Sequence, residues 1–141
     1  MNNLLKLIPK GSSRVATVKS LRPTKLINMK DAFKHLDSDL DHFMYAKEDD
    51  CLISELTFTD FKQAMCFMNN IALLAEEIDH HPEWFNVYNK INIVLRTHDC
   101  DGLSLKDVFM ADAINKMYPL VAQNDRDLTD ILVRDWDSFL D

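Results

Sequence analysis

The stretch "DHHPEWFNVYNKINIVLRTH", residues 79–98, decides how the rest of the chain is read. It opens on two adjacent histidines and a proline, then continues as two short β-prone runs with Asn89 and Lys90 between them. Ile91, Ile93 and Leu95 alternate with Asn92, Val94 and Arg96, the period of a strand with one buried face. A turn at Asn89 and Lys90 makes the stretch a β-hairpin in which 88 faces 91 and His98 falls opposite His81. A turn centred on Asn89 alone puts His98 opposite His80 instead. Either way, three of the five histidines meet at the open end of one hairpin. The first register also sets Glu83 against Arg96, an opposite-charge cross-strand pair.

Working outward, residues 61–79 hold no Gly or Pro, and Phe61, Met65, Met68, Ala72 and Ala75 form a stripe widened by Phe67, Ile71, Leu74 and Ile78. This is the main helix, with Thr59 or Asp60 to cap it and Pro82 to end it. Before it, "HFMYAKEDDCLISELTF" predicts a hairpin with strands near 42–47 and 51–58 around the charged "KEDD" turn. Met29, Phe33, Leu36 and Leu40 predict a further helix over 29–40. After Gly102, "SLKDVFMADAINKMY" is helical, with Ser104 as N-cap and Pro119 as its stop. The order helix, two strands, helix, two strands, helix indicates an α+β fold: a single four-stranded, mainly antiparallel sheet with helices packed on one face.

The length of 141 residues suits one domain, read as a body over 29–118 between a basic arm, 1–28, and an acidic extension, 119–141. In the extension, Leu128, Ile131, Leu132, Trp136 and Phe139 share one side of a short helix that would pack on the body or on a neighbouring subunit. Residues 1–30 carry seven basic side chains and no acidic one, so the other nine face all 23 acids in the remaining 111 residues. Such an acidic body argues against direct nucleic-acid binding, and no apolar run is long enough to span a membrane. The arm, with Ser12, Ser13, Thr17, Ser20 and Thr24 after "NLLKLI", fits either an organelle-targeting segment or a basic extension retained on the mature protein. The cytoplasm is favoured, with a mitochondrion or other organelle left open by the arm. Cys51, Cys66 and Cys100 are odd in number and form no C-x-x-C pair, so they read as reduced thiols.

Carboxylates accompany the histidines. Glu76 lies four residues before His80, on the same helix face if the helix persists, and Asp79 precedes the pair. A carboxylate bonded to imidazole selects its tautomer, and histidine's ordinary pKa of about 6.5 suits proton transfer near neutrality. Trp84 and Phe85 offer an aromatic wall for a planar ligand. Structural alternatives stand beside each of these: His80 and His81 as helix C-terminal charges, Asp107 as the acid of a capping box begun by Ser104, and Trp84 as core. A metal site from His80, His81, His98 and Cys100 is disfavoured, because neighbouring residues on a helix diverge by about 100°.

At these residues the sequence resembles the pterin-4a-carbinolamine dehydratases. Their pattern runs from an acid through His-His-Pro and an aromatic to a Thr-His, then an Asp after Gly-Leu-Ser or Gly-Leu-Thr. Glu76, His80, His81, Pro82, Trp84, Thr97, His98, Gly102 and Asp107 fall in register with it, and the similarity covers most of residues 40–117. Phe43 stands where the family usually has Trp, and Lys106 where it often has Arg. The resemblance implies dehydration of a 4a-hydroxytetrahydropterin to the quinonoid dihydropterin in tetrahydrobiopterin recycling, with no metal or organic cofactor. It implies His80 and His98 as acid and base in either order. His81 and Asp79 would orient substrate, Glu76 and Asp107 would polarise the histidines or bind the pterin edge, Trp84 would flank the ligand, and Arg96, Thr97 and Asp99 would line the rim. It also implies a homodimer or homotetramer, and as alternatives a dimerisation cofactor for a transcription factor or a pterin carrier.

Overall fold

Alternating burial along two strands sets the architecture. The computed structural model of the protein describes residues 13–26, 42–123 and 132–141. Strands β1 (Met44–Ala46), β2 (Cys51–Thr57), β3 (Glu83–Val87) and β4 (Lys90–Leu95) form one sheet in the order β1-β2-β4-β3, with every pairing antiparallel. Leu52, Ser54 and Leu56 of β2 face Leu95, Ile93 and Ile91 of β4, and all six are buried. Between them Glu55, Thr57, Lys90 and Asn92 are exposed, so one face of the sheet carries the core and the other meets solvent.

Helix α1 (Arg14–Ser20) precedes β1, helix α2 (Phe61–Ile78) separates the two hairpins, and α3 (Leu105–Ala122) and α4 (Trp136–Leu140) follow β4. Asp60 is the N-cap of α2, accepting from the Gln63 N–H, while the Gln63 side chain accepts from the Thr59 N–H. Residues 106–115 of α3 are buried without a break, including Lys106, Asp107 and Asp112. A helix enclosed on all sides has neighbours on all sides. Here these include α1 and α4, whose Val15, Val18, Trp136 and Leu140 join the same core as the sheet residues.

Polar contacts fasten these two outer helices together. Asp137 accepts from the Ser13 hydroxyl at 2.6 Å and from the Val15 N–H at 3.0 Å, and Arg14 donates to the Leu140 carbonyl at 3.2 Å. Part of the basic arm is thus helical and half enclosed, and part of the acidic extension lies against it. The helix expected over 29–40, and Leu128 and Ile131, lie outside the described residues. Leu132 is exposed, whereas Trp136 is sealed and Phe139 packs edge-on against it.

Two boundaries differ from expectation. Pro119 does not stop α3, which runs on to Ala122. A proline removes only its own N–H from the ladder and crowds the preceding turn. The turn beyond it is kept because Val121 is wholly buried and the Gln123 N–H reaches the Pro119 carbonyl at 3.0 Å. The end of α2 is likewise set before Pro82, by Asp79 in a left-handed conformation.

Replacing Trp136 with Ala is expected to lower the unfolding free energy by about 3–5 kcal/mol, the usual range for emptying a buried aromatic site. Urea denaturation of the full chain measures it, and an unchanged midpoint would mean that α4 contributes nothing to the core.

Candidate active site

The last turn of α2 places His80. Asp79 takes φ 52°, and its N–H reaches the Glu76 carbonyl while the His80 N–H reaches the Ala75 carbonyl at 3.0 Å. This paired closure ends the helix with a left-handed residue, a position usually held by Gly and tolerated by Asp. The chain then turns back, and His80 is buried at 8% exposure while His81 stays outside.

At the start of α3, Ser104 and Asp107 form a reciprocal capping box. The Ser104 hydroxyl accepts from the Lys106 N–H, and Asp107 Oδ2 accepts from the Ser104 N–H at 3.0 Å. Asp107 is fully buried, and its other oxygen, Oδ1, lies 2.6 Å from His80 Nε2. Thr97, at the end of the second hairpin, donates its hydroxyl to Asp107 Oδ2 at 2.6 Å. One carboxylate thus both starts the helix and lies against the histidine.

The other two histidines have carboxylates of their own. His81 Nε2 lies 2.5 Å from Glu76 Oε1, and His98 Nε2 lies 2.7 Å from Glu83 Oε1, both pairs exposed. Glu76 thus meets His81 rather than His80, because the helix ends at Ile78 and the chain reverses. The hairpin register differs too. Val87 faces Lys90 and Glu83 faces Val94, so the turn residues are Tyr88 and Asn89. Tyr88 takes φ 52°, the Asn86 side chain donates to the Tyr88 and Lys90 carbonyls, and Asn89 bonds Phe58 through both backbone and side chain. These bonds hold the turn one residue earlier than the sequence suggests. Glu83 is consequently not opposite Arg96, which pairs with Asp101.

The remaining expected site residues divide between the two sides of this network. Trp84 is half-buried against the core, on the inner face of the sheet. Asp79 and Asp99 are exposed, and Arg96 is half-buried. Thr97 is buried at 4% exposure with its hydroxyl engaged behind the site. Burial, then the charge of Asp107, pushes the Cys100 thiol up, which keeps it protonated. Among the described residues, no three His, Cys, Asp or Glu side chains converge as metal ligands, and no helix is long and apolar enough to cross a membrane. Two members escaped the sequence reading. Glu83 as the partner of His98 depends on the turn that begins at His98 beyond β4, and the Ser104 hydroxyl was read only as a cap.

A loop clamp keeps these parts together. Asp50 accepts from the Tyr45 hydroxyl at 2.7 Å and from the Leu103 N–H at 3.2 Å, tying the β1-β2 turn to the segment between Thr97 and Ser104. A Cβ at Gly102 would collide with the Asp50 carboxylate, so this approach requires glycine.

A buried imidazole held by a helix-capping carboxylate is a group that can take or give a proton. The family model for pterin 4 alpha carbinolamine dehydratase matches residues 27–117, and the chain belongs to that family. It is 56% identical over 63 residues to a Novosphingobium aromaticivorans protein that carries the provisional name pterin-4-alpha-carbinolamine dehydratase. That match covers 45% of this chain and 66% of the relative. A crystal structure of a transcriptional coactivator/pterin dehydratase from Brucella melitensis is similar with a TM-score of 0.61 and 34% identity, over 67% of this chain and 99% of that one.

The clamp has a measurable signature. The hydrogen bond to Asp50 raises the Tyr45 pKa from 10.0 to about 12. A phenol held protonated in the fold favours folding below its unfolded pKa, and this contribution is lost as the pH climbs through about 12. In Asp50→Asn, ultraviolet titration should show tyrosinate forming at Tyr45 close to the ordinary value. A titration curve identical to wild type would dissociate Tyr45 from Asp50.

Proposed function

We propose that this chain is a hydro-lyase that removes water from a 4a-hydroxytetrahydropterin to give the quinonoid dihydropterin, the recycling step of tetrahydrobiopterin. The observation that carries the proposal is the buried contact of His80 with Asp107; His98, which has a carboxylate of its own, is the second imidazole the reading calls on. Family membership supplies the substrate class.

In the reaction the C4a–O bond breaks, the N5–H proton departs, a C4a=N5 double bond forms, and the hydroxyl leaves as water after gaining a proton. One group must donate at the hydroxyl and another must accept at N5. His80 and His98 serve as this pair, with His81 and Asp79 at the mouth to orient the pterin. Glu76 and Glu83 hold His81 and His98, as Asp107 holds His80. The half-buried Trp84 offers a face to the planar ring. No redox step occurs, so the chemistry calls for no electron carrier.

The test is the rate of dehydration of a synthetic 4a-hydroxytetrahydropterin. His80→Ala and His98→Ala should each lose about 10²- to 10⁴-fold in kcat with unchanged circular dichroism. A wild-type rate no better than the uncatalysed background would reject the proposal.

A further inference from the structure

We infer that Thr97 is a positioning residue which, with Ser104, locks the Asp107 carboxylate so that His80 gives or takes its proton through Nδ1 alone. The inference rests on the dehydratase proposal for its kinetic consequence, and on hydrogen-bond direction for its structural one.

The direction follows from counting protons. Asp107 Oδ2 accepts from the Ser104 N–H and from the Thr97 hydroxyl, and Oδ1 faces His80 Nε2 at 2.6 Å. Thr97 has one hydroxyl proton, and it lies on Asp107. The Thr97 and Ser104 hydroxyl oxygens are 2.6 Å apart, so the proton between them belongs to Ser104. Ser104 can give it, since its oxygen also accepts from the Lys106 N–H. Every hydrogen in the chain therefore points toward Asp107, a carboxylate with acceptors only. His80 must present Nε2–H to it, in the neutral and in the protonated ring alike.

Nδ1 is then the nitrogen that changes protonation. It has no hydrogen-bond partner among the described residues, and His80 keeps 8% of its surface exposed. As a neutral ring His80 accepts a proton at Nδ1, and as a charged ring it donates one from Nδ1. Nδ1 therefore carries the exchanged proton whichever half of the reaction His80 performs. The other charged or titratable groups around the network are Lys106, whose ammonium lies 3.5 Å from the Ile78 carbonyl, Cys100, and the His81 and Glu76 pair.

Ring-nitrogen NMR of the ligand-free full chain reads the tautomer without turnover. The wild type should show His80 protonated at Nε2, with a slowly exchanging ring N–H. Thr97→Val keeps the side-chain shape but removes the hydroxyl, so the carboxylate retains one donor on Oδ2 and is held less firmly. Its Nε2–H resonance should broaden through faster exchange, and kcat for dehydration should fall roughly tenfold with KM unchanged. Thr97→Ser should restore both. A wild-type spectrum with the neutral-ring proton on Nδ1 would overturn the inference, as would a folded Thr97→Val protein with the wild-type resonance. Should the chain fail to dehydrate the pterin at all, the NMR result still decides the hydrogen-bond chain while the functional proposal falls.

Discussion

The contact on which the site depends is the one between Asp107 and its three partners, the Ser104 N–H, the Thr97 hydroxyl and His80. A carboxylate at a helix N-terminus is favoured by the exposed N–H groups there and by the helix dipole. Asp107 meets that requirement for α3 and, from the same position, holds the imidazole of His80. The two tasks cannot be varied independently. A change that loosens the first turn of α3 also releases the histidine, and a change at residue 107 that suits the histidine must still begin a helix. Lys106 sits next to it, buried, with its ammonium on the carbonyls of Lys19 and Ile78 at the ends of α1 and α2. Three helix ends thus converge on two consecutive side chains.

Much of this was legible in the sequence, for identifiable reasons. The alternation of Ile91, Ile93 and Leu95 gave the inner face of the sheet directly, because a strand has a period of two and one side must be buried. The long apolar stripe from Phe61 to Ile78 gave α2 in the same way. What escaped lay in backbone conformations that residue type predicts weakly. Tyr88 in a left-handed turn is uncommon, and it moved the hairpin register so that Glu83 faces Val94 rather than Arg96, while Glu83 pairs with His98 beyond the end of β4. Asp79 as a left-handed helix end redirected Glu76 from His80 to His81. The continuation of α3 past Pro119 followed from the burial of Val121, a tertiary effect absent from local propensity.

The site also shows how one fold supplies imidazoles in different settings. His80 is enclosed and fixed by a buried acid, whereas His81 and His98 are exposed and each is steadied by a surface glutamate. Exposed pairs of this kind are weak and exchange partners readily. A ligand arriving at the mouth can displace those glutamates at small cost, while the enclosed pair keeps its geometry. Rigidity lies behind the site and adaptability in front of it.

The contact between α1 and α4 has a kinetic meaning. It joins residues 13–15 to residue 137, so it closes a loop that includes nearly the whole chain. A contact so distant in sequence forms late, once the intervening sheet and helices have brought the two ends near. During synthesis, Asp137 emerges long after Ser13 and Val15, and until then the Val15 N–H lacks this carboxylate. Until residue 137 has been made, the segment around Ser13 and Val15 is therefore not yet held against α4.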